Sequence, residues 1–291
     1  MLWPILGDFC DYIQDSDVVV LFVGSMVSED TEKLDRNHAR LNQNYDMFID
    51  AACKAGKKVV VVIQSGSAII LGEWRDKVDA IVEMWLGGES AGAAIAEILS
   101  GIVNPSGKLP ETFPKVMRND MEYPGDGIQV HYKEGYEVGY RYYDKHLDEI
   151  VYPFGHGLSY TEFKYSNIIA KHEGNEVKIS FELENVGDYD GAEVTQIYVS
   201  DLVATVDRPV KELKAFEKTF LKSGEKKTVS VSIPISELAY YNVLLRKWIV
   251  EKGTYEFLVG ASSQDIQLKD KMYIDVHTPY TMEQYGESMI G

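Results

Sequence analysis

In the first third of the chain, short unbroken apolar runs alternate with stretches of helical spacing. Residues 18–23 (Val-Val-Val-Leu-Phe-Val) form a run of strand length, the pattern of a strand covered on both faces. Residues 58–63 and 78–85 repeat it. Residues 43–55 place Tyr45, Phe48, Ile49, Ala52 and Cys53 on one helical face, and Gly56 is a plausible stop. Residues 69–77 predict a short helix. Gly87 and Gly88 break the third strand, and residues 90–99 predict a helix dense enough in Ala to pack close to a sheet. Gly101 suits its left-handed C-cap. A turn at 104–107 and a short strand at 108–113 complete a strand–helix–strand unit. Strands separated by helical segments in this way predict an α/β domain with a mostly parallel sheet.

Beyond Pro114 the pattern changes. Residues 117–127 are a polar linker. Residues 132–144 and 152–160 are crowded with Tyr and Phe and match neither period, which predicts a connector wrapping around the first domain. From Phe163 the alternation has a period of two, at 175–183, 193–199, 226–233 and 253–259, with turns at 187–191 and 223–225. Such spacing predicts an antiparallel β-sandwich. The expected organisation is an α/β domain over 1–118, an aromatic connector over 119–160, a seven-stranded sandwich over 161–277 and a loose polar tail over 278–291.

The 291 residues carry a net charge of −17. A surface so acidic repels nucleic acid and anionic membrane, and neither is an expected partner. No run reaches the ~18 apolar residues of a membrane span. Residues 1–8 lack a basic n-region and a long apolar run, so no signal peptide is read and the cytoplasm is favoured. Cys10 and Cys53 sit in apolar contexts without metal spacing, and His38 and His131 have no partners for a metal. No metal or cofactor is expected. Trp74 and Trp85 have the stacking surface for sugars but read better as core. His156, in Phe-Gly-His-Gly, reads as a turn residue bonded to backbone.

The spelling of several stretches adds what periodicity cannot. Trp-Leu-Gly-Gly-Glu-Ser-Ala-Gly (85–92) and Gly-Ile-Val-Asn-Pro-Ser-Gly-Lys-Leu-Pro-Glu-Thr-Phe-Pro (101–114) resemble the signature of the second domain of family 3 glycoside hydrolases. The aromatic stretches at 132–144 and 152–160 resemble that family's connector. Residues 184–194, 208–213 and 253–263 resemble its fibronectin type III-like domain. The resemblance covers nearly the whole chain but only the rear part of a typical member. It implies a partial α/β sandwich followed by an immunoglobulin-like, fibronectin type III-like sandwich, and a TIM barrel outside this chain. A barrel needs about 250 residues of its own, and none is read here.

Glycosidic cleavage takes two carboxyl groups, one to protonate the leaving oxygen and one to attack the anomeric carbon or activate water. The resemblance implies a retaining β-glycosidase, most simply a β-glucosidase acting on β-linked glucosides or oligosaccharides. Its nucleophile would be an Asp on the absent barrel. Its acid/base would be a Glu on a loop of the α/β domain, in a pattern like Glu-Gly-x-Asp-Arg followed by Leu-x-Leu-Pro. Here Glu32-Lys-Leu-Asp35-Arg36 and Ala39-Arg-Leu-Asn42 stand at that place. By that match Glu32 is the acid/base candidate, with Glu29 the fallback, and Asp35 and Arg36 fix the loop. Lys33, Ala39 and Asn42 depart from the pattern. Lys33 beside Glu32 favours the ionised form, whereas an acid catalyst needs a raised pKa, which burial against a barrel would supply. Glu89 looks structural in the family, bracing the helix that follows it. A sheet missing its leading strands also predicts a homo-oligomer or a partner chain. The alternative, favoured by the departures around Glu32, is a non-catalytic interaction or carbohydrate-binding module on the same fold.

Overall fold

The computed structural model describes residues 9, 11–25, 38–118, 128–276 and 278–280. The chain divides into two compact units. The first takes Met1–Ile102 and Phe113–Asn119. The second takes Val103–Thr112 and Asp120–Gly291.

The first unit is built on a parallel sheet of β1 (Val18–Gly24), β2 (Lys58–Gln64) and β3 (Ala80–Glu83), in that spatial order. Val18 pairs with Lys58 and Val60 with Ala80 in unbroken register. β2 is central, and Val59, Val61, Val62 and Ile63 are buried. Helix α1 (Gln43–Lys54) buries Ile49 and Ala52. Asn42 caps it by accepting from the Asn44 N–H at 3.0 Å, and Gly56 leaves it at φ +70°. Trp74 follows in the 3₁₀ turn Glu73–Asp76 and is buried, its Nε1–H donating to Asp46 at 2.7 Å.

Three expectations for this unit need correction. β1 is covered on one face only. Val19 and Val23 are buried, but Val18, Val20 and Phe22, which alternate with them along the strand, lie on the opposite face and are exposed. Helix α2 (Ala91–Leu99) forms as the spacing predicts, with Gly101 at φ +77° beyond it. It buries only Ile95 among its residues, however, so its Ala-rich surface stands open. Residues 108–112 are not a strand. Only β4 (Phe113–Pro114) is extended, and the stretch before it belongs to the second unit. Pro110 and Pro114 have no N–H to give a ladder, and the Leu109 backbone is bonded elsewhere, as described below.

The second unit is an antiparallel sandwich. One sheet holds β6 (Phe163–Glu173), β7 (Glu176–Asn185) and β10 (Lys226–Pro234), in the order β10-β7-β6. The other holds β8 (Gly191–Asp201), β9 (Glu212–Leu221), β13 (Gly253–Gly260) and β14 (Ile266–Ile274), in the order β14-β13-β8-β9. The period-two alternation becomes the core: Val177, Ile179, Phe181 and Leu183 from β7 meet Ile197 and Val199 from β8, and Tyr255, Phe257 and Val259 from β13. A small third sheet joins β11 (Tyr240–Asn242), β12 (Lys247–Val250) and β15 (Thr278–Tyr280). Residues 278–280 of the expected loose tail are therefore a paired strand. The connector includes β5 (Ile150–Tyr152) and the single turn α3 (Tyr140–Tyr143). From Asp120 on it belongs to the second unit. Tyr140 stacks on Phe154 at 4.8 Å and meets Tyr198 of β8 edge-on. Lys211 pairs with the buried Asp144 at 2.5 Å.

Candidate functional site

In open parallel sheets, functional groups collect at the carboxyl ends of the strands. In the first unit three segments leave that edge. After β1 comes Gly24-Ser25 and then residues 26–37, which carry Glu29, Glu32, Asp35 and Arg36 and lie outside the described residues. The residues on either side of that stretch are described, and Ser25 before it and Ala39 after it are both bonded to residues 64–70. At the near end the Ser25 N–H donates to the Gln64 carbonyl at 3.1 Å. A Cβ on Gly24 would stand 2.3 Å from that carbonyl oxygen, a backbone atom that cannot swing away. At the far end the Ile70 N–H donates to the Ala39 carbonyl at 2.6 Å, and Arg40 and Ile70 form a parallel bridge.

The segment beneath is itself held. Ser65 is fully buried, and its hydroxyl donates to the Ser67 carbonyl at 2.8 Å, with Glu83 Oε2 at 3.4 Å. Glu83 ends β3, and its Oε1 accepts the Trp85 N–H at 2.8 Å. Trp85 has φ +51°, a left-handed conformation that is costly for a bulky side chain and concentrates at functional sites. Its ring is half-buried and meets Phe113 at 6.1 Å, so it packs within its own unit. Glu89 is exposed just before α2, whose N-cap Ser90 makes no side-chain cap bond.

The signature residues 104–109 do different work in the second unit. Asn104 Oδ1 accepts from Ser159 Oγ and the Tyr160 N–H, and its Nδ2 donates to the Asp190 carbonyl. The Leu109 N–H donates to His156 O at 2.8 Å, and the Gly155 N–H returns to Leu109 O at 2.7 Å. Lys108 Nζ donates to Gly157 O and pairs with Glu193 Oε1 at 3.0 Å, with both side chains nearly buried. Tyr165 OH also donates to Glu193, at 2.9 Å. Two of the sequence signatures are thus the two halves of one clamp. His156 stacks on Tyr152. Burial first, and then the Lys108 ammonium, hold its imidazole below the usual pKa, with Asp265 opposing. A neutral, backbone-bonded His with a stacked ring is structural, as its turn position predicts.

An open cleft of about 420 Å³ lies elsewhere in the second unit, lined by Tyr136, Arg208, Glu212, Tyr240 and Trp248 among others. Its Glu212 carboxyl is held toward the ionised form. Burial pushes the carboxyl up, but Lys214, Arg208 and Arg141 outweigh burial and leave it below the usual range. Cys53 is a free, half-buried thiol, and Cys10 lies outside the described residues. Among the described residues no group of His, Cys, Asp or Glu could hold a metal ion, and no helix is long and apolar enough to cross a membrane. Sequence reading missed Gly24, Ser65 and Glu83; the only local signal was Gly24 at the end of an apolar run.

The structure defines a two-unit architecture, an α/β unit on a parallel sheet followed by an antiparallel β-sandwich. The glycosyl hydrolase family 3 C-terminal domain matches residues 7–160, and a fibronectin type III-like domain matches residues 193–263. The chain therefore belongs to glycoside hydrolase family 3, as its C-terminal portion. It is 43% identical over 267 residues to thermostable beta-glucosidase B of Acetivibrio thermocellus, covering 89% of this chain and 35% of that protein. It is 38% identical over 257 residues to the exo-alpha-(1->6)-L-arabinopyranosidase of Bifidobacterium longum, covering 87% and 34%. The crystal structure of the Kluyveromyces marxianus beta-glucosidase in complex with glucose matches with a TM-score of 0.89 at 35% identity, covering 95% of this chain and 34% of that one. The chain thus spans about a third of the length of the relatives it matches.

Proposed function

We propose that this chain is the C-terminal portion of a retaining β-glycosidase, most simply a β-glucosidase, that hydrolyses terminal β-D-glycosides. Residues 1–118 supply the acid/base loop, and residues 161–277 are the fibronectin type III-like domain. Glu32 is the acid/base, with Glu29 the fallback, and Asp35 and Arg36 fix the loop. The nucleophilic Asp lies on a TIM-barrel partner outside this chain. The observation that supports this is that Ser25 and Ala39, on either side of residues 26–37, are both bonded to residues 64–70, at the edge where α/β sheets present functional groups. The exposed apolar row Val18, Val20 and Phe22 and the open Ala-rich surface of α2 fit a chain completed by further protein. A retaining pair needs its carboxyl groups about 5–5.5 Å apart, so this chain alone should not turn over aryl glucosides. The sugar is set mainly by the barrel. Relatives carrying a beta-glucosidase name and an arabinopyranosidase name share this portion at similar identity.

The test is Glu32→Ala and Glu29→Ala in the full-length or reconstituted enzyme, on cellobiose and on a nitrophenyl glucoside, with azide as rescue nucleophile. Loss of the acid should hurt cellobiose most, because a good leaving group departs unprotonated. Loss with Glu29→Ala alone would move the acid by three residues. If neither substitution matters, the acid/base lies elsewhere and the non-catalytic module becomes the better reading.

A further inference from the structure

The cleft of about 420 Å³ in the second unit has the size that small ligands use, about 300–1,000 Å³. One wall is the hairpin of β11 and β12. There Tyr241 pairs with Trp248 across the strands, and their rings meet edge-on at 5.5 Å. Tyr241 is exposed, whereas Trp248 is half-buried against the sandwich core. Val243 and Leu244, at the hairpin tip, continue the apolar edge and are 76% and 91% exposed. The floor is charged, but its charges are committed to one another. Arg208, whose side chain is 10% exposed, donates to Asp201 Oδ2 and to Glu212 Oε2, each at 3.2 Å. Arg141 reaches the other oxygen of Glu212 at 3.0 Å. An anionic guest would have to draw a guanidinium away from its carboxylate. A cationic guest would find Glu212 held between two arginines, and Tyr240 with the Arg208 guanidinium already over its ring at 5.8 Å. The surface left for a ligand is aromatic, with polar groups at its margin such as the exposed Asp207 beside Tyr136. A neutral pyranose matches that combination. Its C–H faces lie flat on aromatic rings, and the hydroxyls around its edge exchange hydrogen bonds with a polar margin. The cleft is open, so a bound ring can carry further rings into solvent.

We propose that this cleft is a binding site for a neutral pyranose oligosaccharide, with Tyr241 and Trp248 as the stacking surface and Asp207 accepting from hydroxyls. Binding here makes and breaks no bond. The site lies wholly within the second unit, and it does not depend on the role assigned to residues 26–37.

The experiment titrates the 291-residue chain with cellotetraose and with laminaritetraose. It follows the indole N–H resonance of Trp248, identified by its loss in Trp248→Phe. That resonance should shift saturably at millimolar sugar. Tyr241→Ala should weaken binding about tenfold through the lost stacking surface, and Asp207→Ala about threefold or more through the lost acceptor. Tyr189→Ala, which removes an exposed ring at the 187–191 turn, should leave binding unchanged. The amide pattern of β7 checks that each variant is folded, and should Tyr241→Ala disturb it, Asp207→Ala carries the test. No shift with either sugar overturns the site, and so does a shift that survives both Tyr241→Ala and Asp207→Ala. Tighter binding of tetragalacturonate than of cellotetraose would show that the guanidiniums accept an anion, overturning the neutral class of ligand. A Trp248 resonance that moves on dilution without sugar would give the surface, with its apolar tip, to a second copy of this chain and overturn the sugar site.

Discussion

Lys108 is the one basic residue in the longest signature, and its surroundings allow a quantitative prediction. Its side chain is 11% exposed, and that of Glu193 is 6% exposed. Lys108 Nζ has Glu193 Oε1 at 3.0 Å and Gly157 O at 3.1 Å, and Tyr165 OH adds a second contact to the Glu193 carboxylate. Exposed ion pairs contribute at most about 1 kcal/mol. Removing one partner of a buried pair costs about 3–5 kcal/mol, because the other charge stays buried and unpaired. Lys108→Met keeps the stem and deletes the charge. It leaves Glu193 with only the phenol of the contacts just named, so a loss of about 3 kcal/mol, the lower end, is expected. With an m-value of ~2 kcal/mol per M urea, the midpoint of the second unit should fall by about 1.5 M. The transition should be followed by amide exchange in β8, at Ile197 and Val199, so that it reports on this unit. Adding Glu193→Gln removes the orphaned charge while keeping an acceptor for Tyr165, and the double variant should regain more than half of the loss. A single-variant cost under about 1 kcal/mol, or a double variant no better than the single, would refute the claim that a buried pair fastens this clamp.

His156 gives a pH test. Its folded pKa lies below the ordinary value, so between the folded and unfolded values the unfolded chain holds a proton that the native chain does not. Stability should therefore fall as pH drops from about 7.5 to about 5.5, through the ordinary His pKa of about 6.5. Urea midpoints across that range should fall more in the wild type than in His156→Gln, and equal slopes would remove His156 from the linkage. Gly157→Ala places a Cβ 2.2 Å from Gly107 O, a backbone clash that should cost about 1–3 kcal/mol. Gly107→Ala, with nothing within 4 Å of its added Cβ, should be close to neutral. Equal thermal midpoints for the two variants would contradict the close approach.

Local periodicity made the regular elements legible. The helix at 43–54, the central strand β2 and the alternating core of β7 follow from residues that are neighbours in sequence. Periodicity reports which faces are apolar, not what covers them, and so β1 and α2 read as more enclosed than they are. The stretch 108–112 was misread for a related reason. Its apolar and polar order suits a strand, but Leu109 is bonded to residues 46 and 47 positions later, at Gly155 and His156, and no local pattern announces so distant a partner. The same holds at the sheet edge. Ser65 is an ordinary loop serine until β3 brings Glu83 beside it, eighteen residues on. The acidic residues of loop 26–37 were legible only through the family resemblance, since a Glu in a polar loop carries no signal of its own.

The structure does bear on how far the departures from the family pattern disturb that loop. Where the pattern has Leu-x-Leu-Pro, this chain has Ala39-Arg40-Leu41-Asn42. Leu41, the retained apolar position, is 6% exposed and supplies the anchor. Ala39 is bonded through its carbonyl, a contact that does not depend on its side chain. Asn42 has φ −59°, within the range that proline would fix, so the backbone course is the one Pro would impose. Asn adds what Pro cannot, a side-chain cap on the Asn44 N–H of α1. Two of the three departures therefore preserve the returning end of the loop by other means. The argument for a module that has lost its chemistry is left with Lys33 alone. A charge next to a carboxyl tunes its protonation and does not remove the acid, so Lys33 by itself does not argue against the role proposed for Glu32.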